Sequence, residues 1–211
     1  MNATHHNNVE LIGRLHGDLI AVTSKNGGAF FDGTLAVQRL SGTVDYLPIN
    51  IPASLVSGGY GVTSLRGLTL RMAGKMKSYN KLTDGKSRHI ILLKVEEVAE
   101  VAEDAEGNHV ELNGVICSKP AYRETPFGRE ICDFMLAVNS DGKKSAYIPC
   151  ISWVNSARKV STLDMGTTVK LEGRFQSREY MKKLENGEYE TRVTHEVSCK
   201  YVKVVREVDE A

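Results

Sequence analysis

The chain repeats itself, and this repeat constrains the fold more than any other feature of the sequence. The words VELIG at residues 9–13 and YLPI at 46–49 recur as VELNG and YIPC, each 101 residues later. LAV at 35–37 recurs with the same offset, and MAGKMKS at 72–78 matches LEGRFQS 99 residues later. Several matches in one order at a nearly constant offset predict a tandem duplication of a unit of about 100 residues, the size of a typical domain.

Each unit shows the alternation of a half-buried sheet. Runs such as CDFMLAV and SAYIPCISW follow a period of two, and turn residues such as SDGKK and LENGE separate the runs. Residues 154–166 differ, because their apolar positions have helical spacing and Gly166 suits a helix end. This order predicts an all-β protein of two tandem OB folds, which are five-stranded Greek-key barrels with a helix or loop between strands 3 and 4. In the first unit the matching segment, SLVSGGYGVTSLRG, is rich in glycine and is predicted to be a loop.

The charge distribution divides the chain at residues 96–106. This segment, EEVAEVAEDAE, holds six acidic residues and no basic one, whereas residues 1–95 hold eleven Lys and Arg against five Asp and Glu. Basic regions favour a polyanionic partner, although charge runs are often only solvated faces. We predict a first OB domain over residues 1–100, an acidic linker over 101–107, a second OB domain over 108–206 and a short acidic tail over 207–211.

The sequence argues against several classes of protein. It has no run of about 18 apolar residues and no secretion signal, so we expect a cytoplasmic protein without membrane contact. It has no phosphate-binding loop or catalytic motif, so we expect neither enzymatic activity nor a cofactor. The cysteines lie in apolar runs and are read as buried thiols. The alternative is a zinc site whose spacing matches no structural-zinc pattern, formed by Cys132, Cys150, Cys199 and His195.

Two aromatic residues of the second unit share one side of a predicted strand. Tyr147 and Trp153, the one tryptophan, are six positions apart, so both side chains leave the strand on the same side. Ile148, Cys150 and Ser152 face the other way. The predicted core joins this alternate set to Phe134, Leu136 and Val138 of the preceding strand. The two rings then form a platform for flat ligands, or, as the alternative, Trp153 is tucked under the helix.

Basic residues accompany these rings. The run GRFQSREY at 173–180 alternates, so one strand face is basic and ends in a ring. Two predicted hairpins, TPFGRE and SDGKK, add an exposed ring and further cations. The residues concerned are Arg174, Arg178 and Tyr180 on the strand, Phe127 and Arg129 in the first hairpin, and Lys143 and Lys144 in the second. The alternatives are a solvated strand face and turns that only keep the protein soluble.

The second unit resembles the DNA-binding domain of bacterial single-stranded DNA-binding proteins, especially the divergent forms of Firmicutes. The resemblance covers nearly all of residues 109–206 in family order, and the first unit shares it more loosely through the duplication. The residues that carry it are VELNGVICSKPAYRETPFGREICDFMLAVN, YIPCISWVNSARKVSTLDMGTTVKLEGRFQSREY and ENGEYETRVTHEVSCKYVKVV. The resemblance implies OB folds that bind single strands with little sequence preference and assemble in fours. A tandem chain would reach four as a homodimer.

The resemblance also implies roles for individual residues. Positions that match Tyr147, Trp153 and Tyr180 stack bases in the family, and stacking contributes about 1–3 kcal/mol per base. In the first unit Tyr46 matches Tyr147, but Pro52 stands where Trp153 would be. We therefore expect the first unit to bind more weakly or to serve assembly, with a site predicted at Tyr46, Lys75, Lys77 and Tyr79.

The predicted function is binding and protection of single-stranded DNA, without sequence preference, in replication, recombination or repair. Lysine and arginine side chains would contact phosphates while the rings stack on bases. Replication and repair proteins are further candidate partners. The alternative is an OB-fold adaptor that acts mainly through protein–protein contacts in replication restart or recombination. Salt-sensitive quenching of Trp153 fluorescence by oligo-dT distinguishes the first function from the second.

Overall fold

Strands make up almost all of the regular structure. The computed structural model describes residues 6–24, 27–57, 65–83, 85–140, 144–184 and 187–205. The first unit contains β1 (Asn7–Thr23), β2 (Ala29–Gln38), β3 (Val44–Pro52), α1 (Ala53–Ser57), β4 (Leu70–Thr83) and β5 (Lys86–Glu100). The second contains β6 (Gly107–Ile116), β7 (Ala121–Glu124), β8 (Glu130–Ser140), β9 (Lys144–Trp153), α2 (Val154–Ser161), β10 (Thr168–Lys183) and β11 (Tyr189–Val204). Neither described helix has the length and apolar character needed to cross a bilayer.

Each unit closes into a barrel. In the first unit β1 pairs with β2, β2 with β3, β3 with β5, β5 with β4, and β4 returns to β1. In the second, β6, β8, β9, β11 and β10 form the same cycle. A short parallel pairing, β3 with β5 or β9 with β11, closes each barrel, and the other pairings are antiparallel. This topology, with a helix after the third barrel strand, is the OB fold, and the predicted tandem is confirmed.

The second unit has one strand more than predicted. In the first unit β1 runs unbroken through a register shift between His16 and Ile20. The matching segment of the second unit is divided into β6 and β7, with Pro120 at the break. Proline has no backbone N–H to donate to a ladder, so it favours the break. The short β7 pairs with β8 outside the barrel cycle.

Both helical segments differ from the sequence prediction: α2 is shorter than predicted, and the short α1 begins the segment that was predicted to be a loop. α2 ends at Ser161 rather than near Gly166. Gly166 lies in the turn that follows, where its φ of 92° favours glycine and its N–H donates to the carbonyl of Ile116 at 2.9 Å. α2 buries Ala157 and Val160 against the barrel. The matching helix α1 has five residues, and residues 58–64 of the glycine-rich segment lie outside the described residues.

Glycines in the repeated words lie where neighbouring strands approach closely. A Cβ on Gly74 would lie 2.0 Å from the carbonyl oxygen of Lys94, and a Cβ on Gly173 would lie 2.3 Å from that of Ser198. Each glycine also borders a β-bulge at the matching place in its unit. The shared words therefore record a shared steric requirement of the barrel.

The two barrels join edge to edge through antiparallel pairing of β1 with β6. Val9 pairs with Val110, which is its own equivalent in the repeat, so an approximate twofold axis passes through this pair. Contacts across the junction consequently occur in related pairs. His89 Nε2 donates to the carbonyl of Tyr147 at 2.7 Å, and His195 Nε2 donates to the equivalent carbonyl, that of Tyr46, at 3.0 Å. The two acceptors are equivalent in the repeat, whereas the two histidines lie two positions apart in the strand register.

The core follows the predicted alternation. On β9 the side chains of Ile148, Cys150 and Ser152 are buried. The predicted residues of the preceding strand, Phe134, Leu136 and Val138, are also buried. All of these residues except Ser152 belong to one apolar cluster that runs through both barrels. The opposite side of β9 is thereby directed away from the centre of the barrel.

Candidate nucleic-acid interface

A groove along the second barrel brings the tryptophan together with three of the predicted cations. The groove has a volume of about 840 Å³, and Arg129, Trp153, Arg174 and Arg178 are among the residues that line it. Arg129 precedes β8, Trp153 ends β9, and the other two arginines lie on β10. These segments are distant in sequence, so it is the closure of the barrel that assembles the cluster.

The indole of Trp153 is held in a defined direction at this groove. The side chain is partly exposed, and its Nε1 donates to Ser198 Oγ at 3.0 Å. Trp153 is the N-cap residue of α2, and Val154 follows it with a φ of 47°. β-branched residues rarely adopt this left-handed conformation, and strained turns of this kind are concentrated at functional sites. The hydrogen bond and the strained turn together fix the ring beside the cations.

The groove arginines differ in how their charge is balanced. Arg178 forms an ion pair with the buried Glu196, with Nε–Oε1 and Nη2–Oε2 distances of 3.1 Å, and this hydrogen-bonded pair raises the pKa of Arg178. Arg174 donates instead to the amide oxygen of Gln176, from Nε at 3.3 Å and from Nη2 at 3.2 Å. Burial lowers the pKa of Arg174, and the neighbouring charge of Arg39 lowers it further. Because its bonded partner is an uncharged amide, Arg174 is well placed to receive a phosphate.

The far end of β10 continues the basic face towards a ring. Tyr180 is exposed and lies opposite Arg192 in the register of β10 with β11. Chiefly through a hydrogen bond, Glu190 raises the pKa of Arg192, and Tyr180 makes a smaller contribution in the same direction. Tyr180 has the same parity as Arg178, so it lies on the same face of the strand as the groove.

Tyr147 lies in a separate depression, although it shares a side of β9 with Trp153. It lines a cleft of about 530 Å³ between the two units, together with Tyr79 and His89 of the first unit. Ile151, which lies between the two rings on the same side of the strand, is only 2% exposed. The two rings therefore line two depressions, and the cleft pairs a predicted ring of each unit.

The other predicted residues of the second unit lie at hairpins. Phe127 is 92% exposed in the turn before β8. Lys144 is exposed at the first position of β9. Lys143 lies outside the described residues. The exposed positions of Phe127 and Lys144 allow contact with a ligand that extends beyond the groove.

The predicted residues of the first unit are more engaged with their own neighbours. The ring of Tyr46 packs against His16 in a tilted geometry, with 4.6 Å between the ring centroids. Lys75 forms an ion pair with Glu96 at 3.5 Å. Lys77 is partly buried on the same strand. These contacts occupy side chains that would otherwise be available to a nucleic-acid strand.

Several residues that line the groove were not predicted from the sequence, among them Arg39, Asn108, His109 and Lys200. Lys200 could have been found, because it continues the alternation of Glu196 and Ser198 along β11. Arg39 gave no signal, since it belongs to the first unit and reaches the groove only through the junction between the barrels. The sequence pattern within one repeat cannot show such a contact.

The cysteines and His195 do not form the alternative zinc site. Cys132, Cys150 and Cys199 are buried, and Cys117 is exposed. Burial raises the pKa of Cys132 to about 11 and that of Cys150 well above its usual range, with the adjacent Cys199 contributing at Cys150. Within the described residues, no group of three or more His, Cys, Asp or Glu is arranged to hold a metal ion. The buried thiols are therefore core side chains.

Comparison with known structures places the whole chain in one class. Wild-type single-stranded DNA binding protein from Thermus aquaticus superimposes with a TM-score of 0.78 at 21% identity, covering 99% of this chain and 98% of that chain. A deletion mutant of the same Thermus protein gives a TM-score of 0.76 at 20% identity, covering 98% and 97%. At this identity the likeness shows the fold alone. The chain is an OB-fold protein with two barrels.

Sequence comparison finds a similarity to one family over the second unit. Residues 107–204 match the model of the single-strand binding protein family. Single-stranded DNA-binding protein 1 of Staphylococcus aureus (strain COL) is 35% identical over 99 residues, 44% of this chain and 57% of that protein. Single-stranded DNA-binding protein A of Bacillus subtilis (strain 168) is 34% identical over 80 residues, 35% of this chain and 46% of that protein. The chain thus spans about half the length of these curated relatives. The second unit is thus similar to proteins of the single-strand binding protein family.

Proposed function

We propose that this protein binds single-stranded DNA without sequence preference and protects it in replication, recombination or repair. The observation that carries the proposal is the groove that sets the partly exposed Trp153 beside Arg129, Arg174 and Arg178. A single strand presents flat bases and a phosphate backbone, and a ring beside cations matches both. The names of the relatives support this function over that of an adaptor.

The groove of the second unit leads in binding. Bases stack on Trp153 and, further along β10, on Tyr180, while Arg174 and Arg129 follow the phosphates. Arg178 contributes while it remains paired with Glu196. A strand that continues beyond the groove reaches the remaining candidate contacts of this unit: Phe127, Lys143, Lys144 and Tyr147. Contacts of these kinds read no base edge, which accounts for the absence of sequence preference.

The first unit binds more weakly. It has Pro52 in place of the tryptophan, and Lys75 is already paired with Glu96. Its remaining candidates, Tyr46, Lys77 and Tyr79, support a strand that crosses the junction. Binding by the two units is therefore unequal within one chain.

The proposal also covers the assembly of the protein and its location in the cell. Two barrels in one chain would give four in a homodimer, as the family resemblance implies. In this arrangement each chain contributes an OB domain at 1–100, a linker at 101–107, a second OB domain at 108–206 and a tail at 207–211. We further propose that the protein acts in the cytoplasm and contacts replication or repair proteins. Light scattering, with and without oligo-dT, tests the homodimer directly through the mass of the particle.

Titration of Trp153 fluorescence with oligo-dT at two salt concentrations tests the function. Because the chain has one tryptophan, quenching reports on the groove of the second unit. We expect quenching at low salt and a linear fall of the logarithm of the association constant with the logarithm of the salt concentration. Absence of quenching at low salt, or affinity that does not change with salt, contradicts the proposal. Double-stranded DNA of the same length is the control ligand.

A further inference from the structure

Ser177, in the middle of the groove strand, is held by two side chains from the first unit. Asp45 Oδ1 accepts a hydrogen bond from the backbone N–H of Ser177 at 2.7 Å and from its hydroxyl at 3.1 Å. Arg39 Nη2 donates to the carbonyl oxygen of Ser177 at 2.9 Å. Both backbone polar groups of Ser177 are thus satisfied across the junction. We call Arg39, Asp45 and Ser177 the junction clamp.

The two first-unit residues of the junction clamp also hold each other. Arg39 Nε donates to Asp45 Oδ2 at 2.7 Å, and Nη2 donates to Oδ1 at 2.6 Å. Asp45 is 0% exposed, so its charge depends on these partners. The hydrogen bond to Asp45 raises the pKa of Arg39, against the effect of burial. The guanidinium is committed to Asp45 and Ser177, which makes it a structural group of the groove rather than a free cation.

The junction clamp acts where β10 has left its pairing with β6. That pairing ends at Gly173. Beyond this point, side chains replace a strand along the edge of β10. Asn108 holds the backbone of Phe175, donating to its carbonyl at 2.7 Å and accepting from its N–H at 2.8 Å. The junction clamp holds Ser177, the next residue whose backbone N–H and carbonyl point to this edge. Arg174 and Arg178 flank these two positions, so the direction of both side chains depends on how this edge is fixed.

The repeat shows that the junction clamp belongs to one side of the molecule. At the positions equivalent to Asp45 and Arg39, the second unit has Ala146 and Ser140. Around the approximate twofold axis, the matching place is held differently, since the backbone N–H of Tyr147 donates to Ser78 Oγ at 2.8 Å. The buried ion pair is therefore present only where it borders the arginine-lined groove, within the part of the chain that the structure describes.

We propose that Arg39 and Asp45 are positioning residues for single-strand binding, through which the first unit sets the geometry of the groove in the second. This inference rests on the proposed function. It assigns the first unit a role in binding that does not require a strand to contact it. The junction clamp keeps the free edge of β10 in register, and thereby keeps Arg174 and Arg178 directed into the groove beside Trp153.

The test uses the full chain and oligo-dT of fixed length, with Trp153 quenching as the signal. The variant R39Q/D45N removes one charge of each sign, so the net charge is unchanged while the ion pair is lost. We expect its affinity to fall by about fivefold, a magnitude typical of coupling through a positioning contact. The matched control is R14Q/E103Q, which also removes one charge of each sign from an ion pair but lies outside the groove, and which is expected to retain wild-type affinity.

A second variant separates positioning from charge and covers loss of folding in the first. Arg39→Lys keeps the positive charge next to Asp45 but cannot donate to both carboxylate oxygens and to Ser177 at once. We expect a loss of about twofold. Wild-type affinity in Arg39→Lys, or in folded R39Q/D45N, overturns the positioning role. Failure of the wild-type protein to quench with oligo-dT overturns the proposed function instead, so the two failures are distinguishable.

Discussion

At the scale of single residues, the site depends on an indole that is fixed before any ligand arrives. Ser198 Oγ accepts the Nε1–H of Trp153, and the turn at Val154 directs the chain away from the strand immediately after the ring. A ring that is already held in one orientation loses less conformational entropy on binding than a mobile one. We therefore expect Ser198 to contribute to binding through Trp153, without touching a base.

Replacement of Trp153 by alanine tests the stacking role. The variant should bind oligo-dT more weakly by about 1–3 kcal/mol, the contribution of one stacked base. Fluorescence anisotropy of a labelled oligonucleotide is the measurement, because the variant has no tryptophan. Tyr189→Ala is the control, since Tyr189 is exposed on the face of β11 opposite to the groove. This variant should bind oligo-dT with wild-type affinity. Unfolding of Trp153→Ala, seen by circular dichroism, would instead make Trp153 a core residue.

Ser198→Ala tests whether the hydrogen bond to the indole matters. Loss of this bond should lower affinity for oligo-dT by about 0.5–1.5 kcal/mol, the usual net contribution of one hydrogen bond. The emission maximum of Trp153 should move at the same time, because the environment of Nε1 changes. Unchanged affinity together with unchanged emission would show that the ring is held by other contacts.

At the scale of elements, the repeat and the alternation predicted most of the barrel and part of the site. Side chains alternate between the two sides of a strand that packs on a core, so the sequence correctly predicted that Cys150 and Ser152 are buried and that Trp153 lies on the other side. The same reasoning could not place Tyr147 and Trp153 in separate depressions, since that depends on Ile151 being covered. It also could not find Arg39, because no local pattern encodes a contact between units. The helix end was misplaced because Gly166 serves the next turn.

Gly173→Ala tests the steric requirement of the groove strand. The new Cβ would lie 2.3 Å from the carbonyl oxygen of Ser198, so β10 and β11 must move apart. We expect the free energy of unfolding, measured by urea titration, to fall by about 1–3 kcal/mol, as for other overpacked sites. Lys203→Ala, at an exposed position of β11, is the control and should change it by less than about 0.5 kcal/mol. Equal stability of Gly173→Ala and the wild type would show that the strands yield freely at this point.

At the scale of the whole molecule, one chain forms a junction with the symmetry of a dimer. Pairing of β1 with β6 follows the approximate twofold axis, and on each side of the axis a histidine donates to the equivalent carbonyl, that of Tyr147 or of Tyr46. The electrostatics break this symmetry, because Lys200 lines the groove of the second unit where the bulge of the first unit has Glu96. The duplication has thus kept the junction while the two surfaces diverged, which supports the proposal that the second unit binds single strands more strongly than the first.

The junction should also respond to pH through His195. Burial lowers the pKa of His195 from its usual 6.5, against the opposing effects of its hydrogen bond to the carbonyl of Tyr46 and of the nearby Asp45. The folded protein therefore takes up this proton less readily than the unfolded chain. The stabilising contribution is complete above pH 6.5 and declines as the pH falls below that value. Urea titrations of the wild type and of His195→Gln, whose amide can still donate to Tyr46, measure the effect. We expect the variant to lose less stability than the wild type between pH 7.5 and a pH about one unit below the usual histidine pKa, and equal losses would show that His195 does not link the junction to pH.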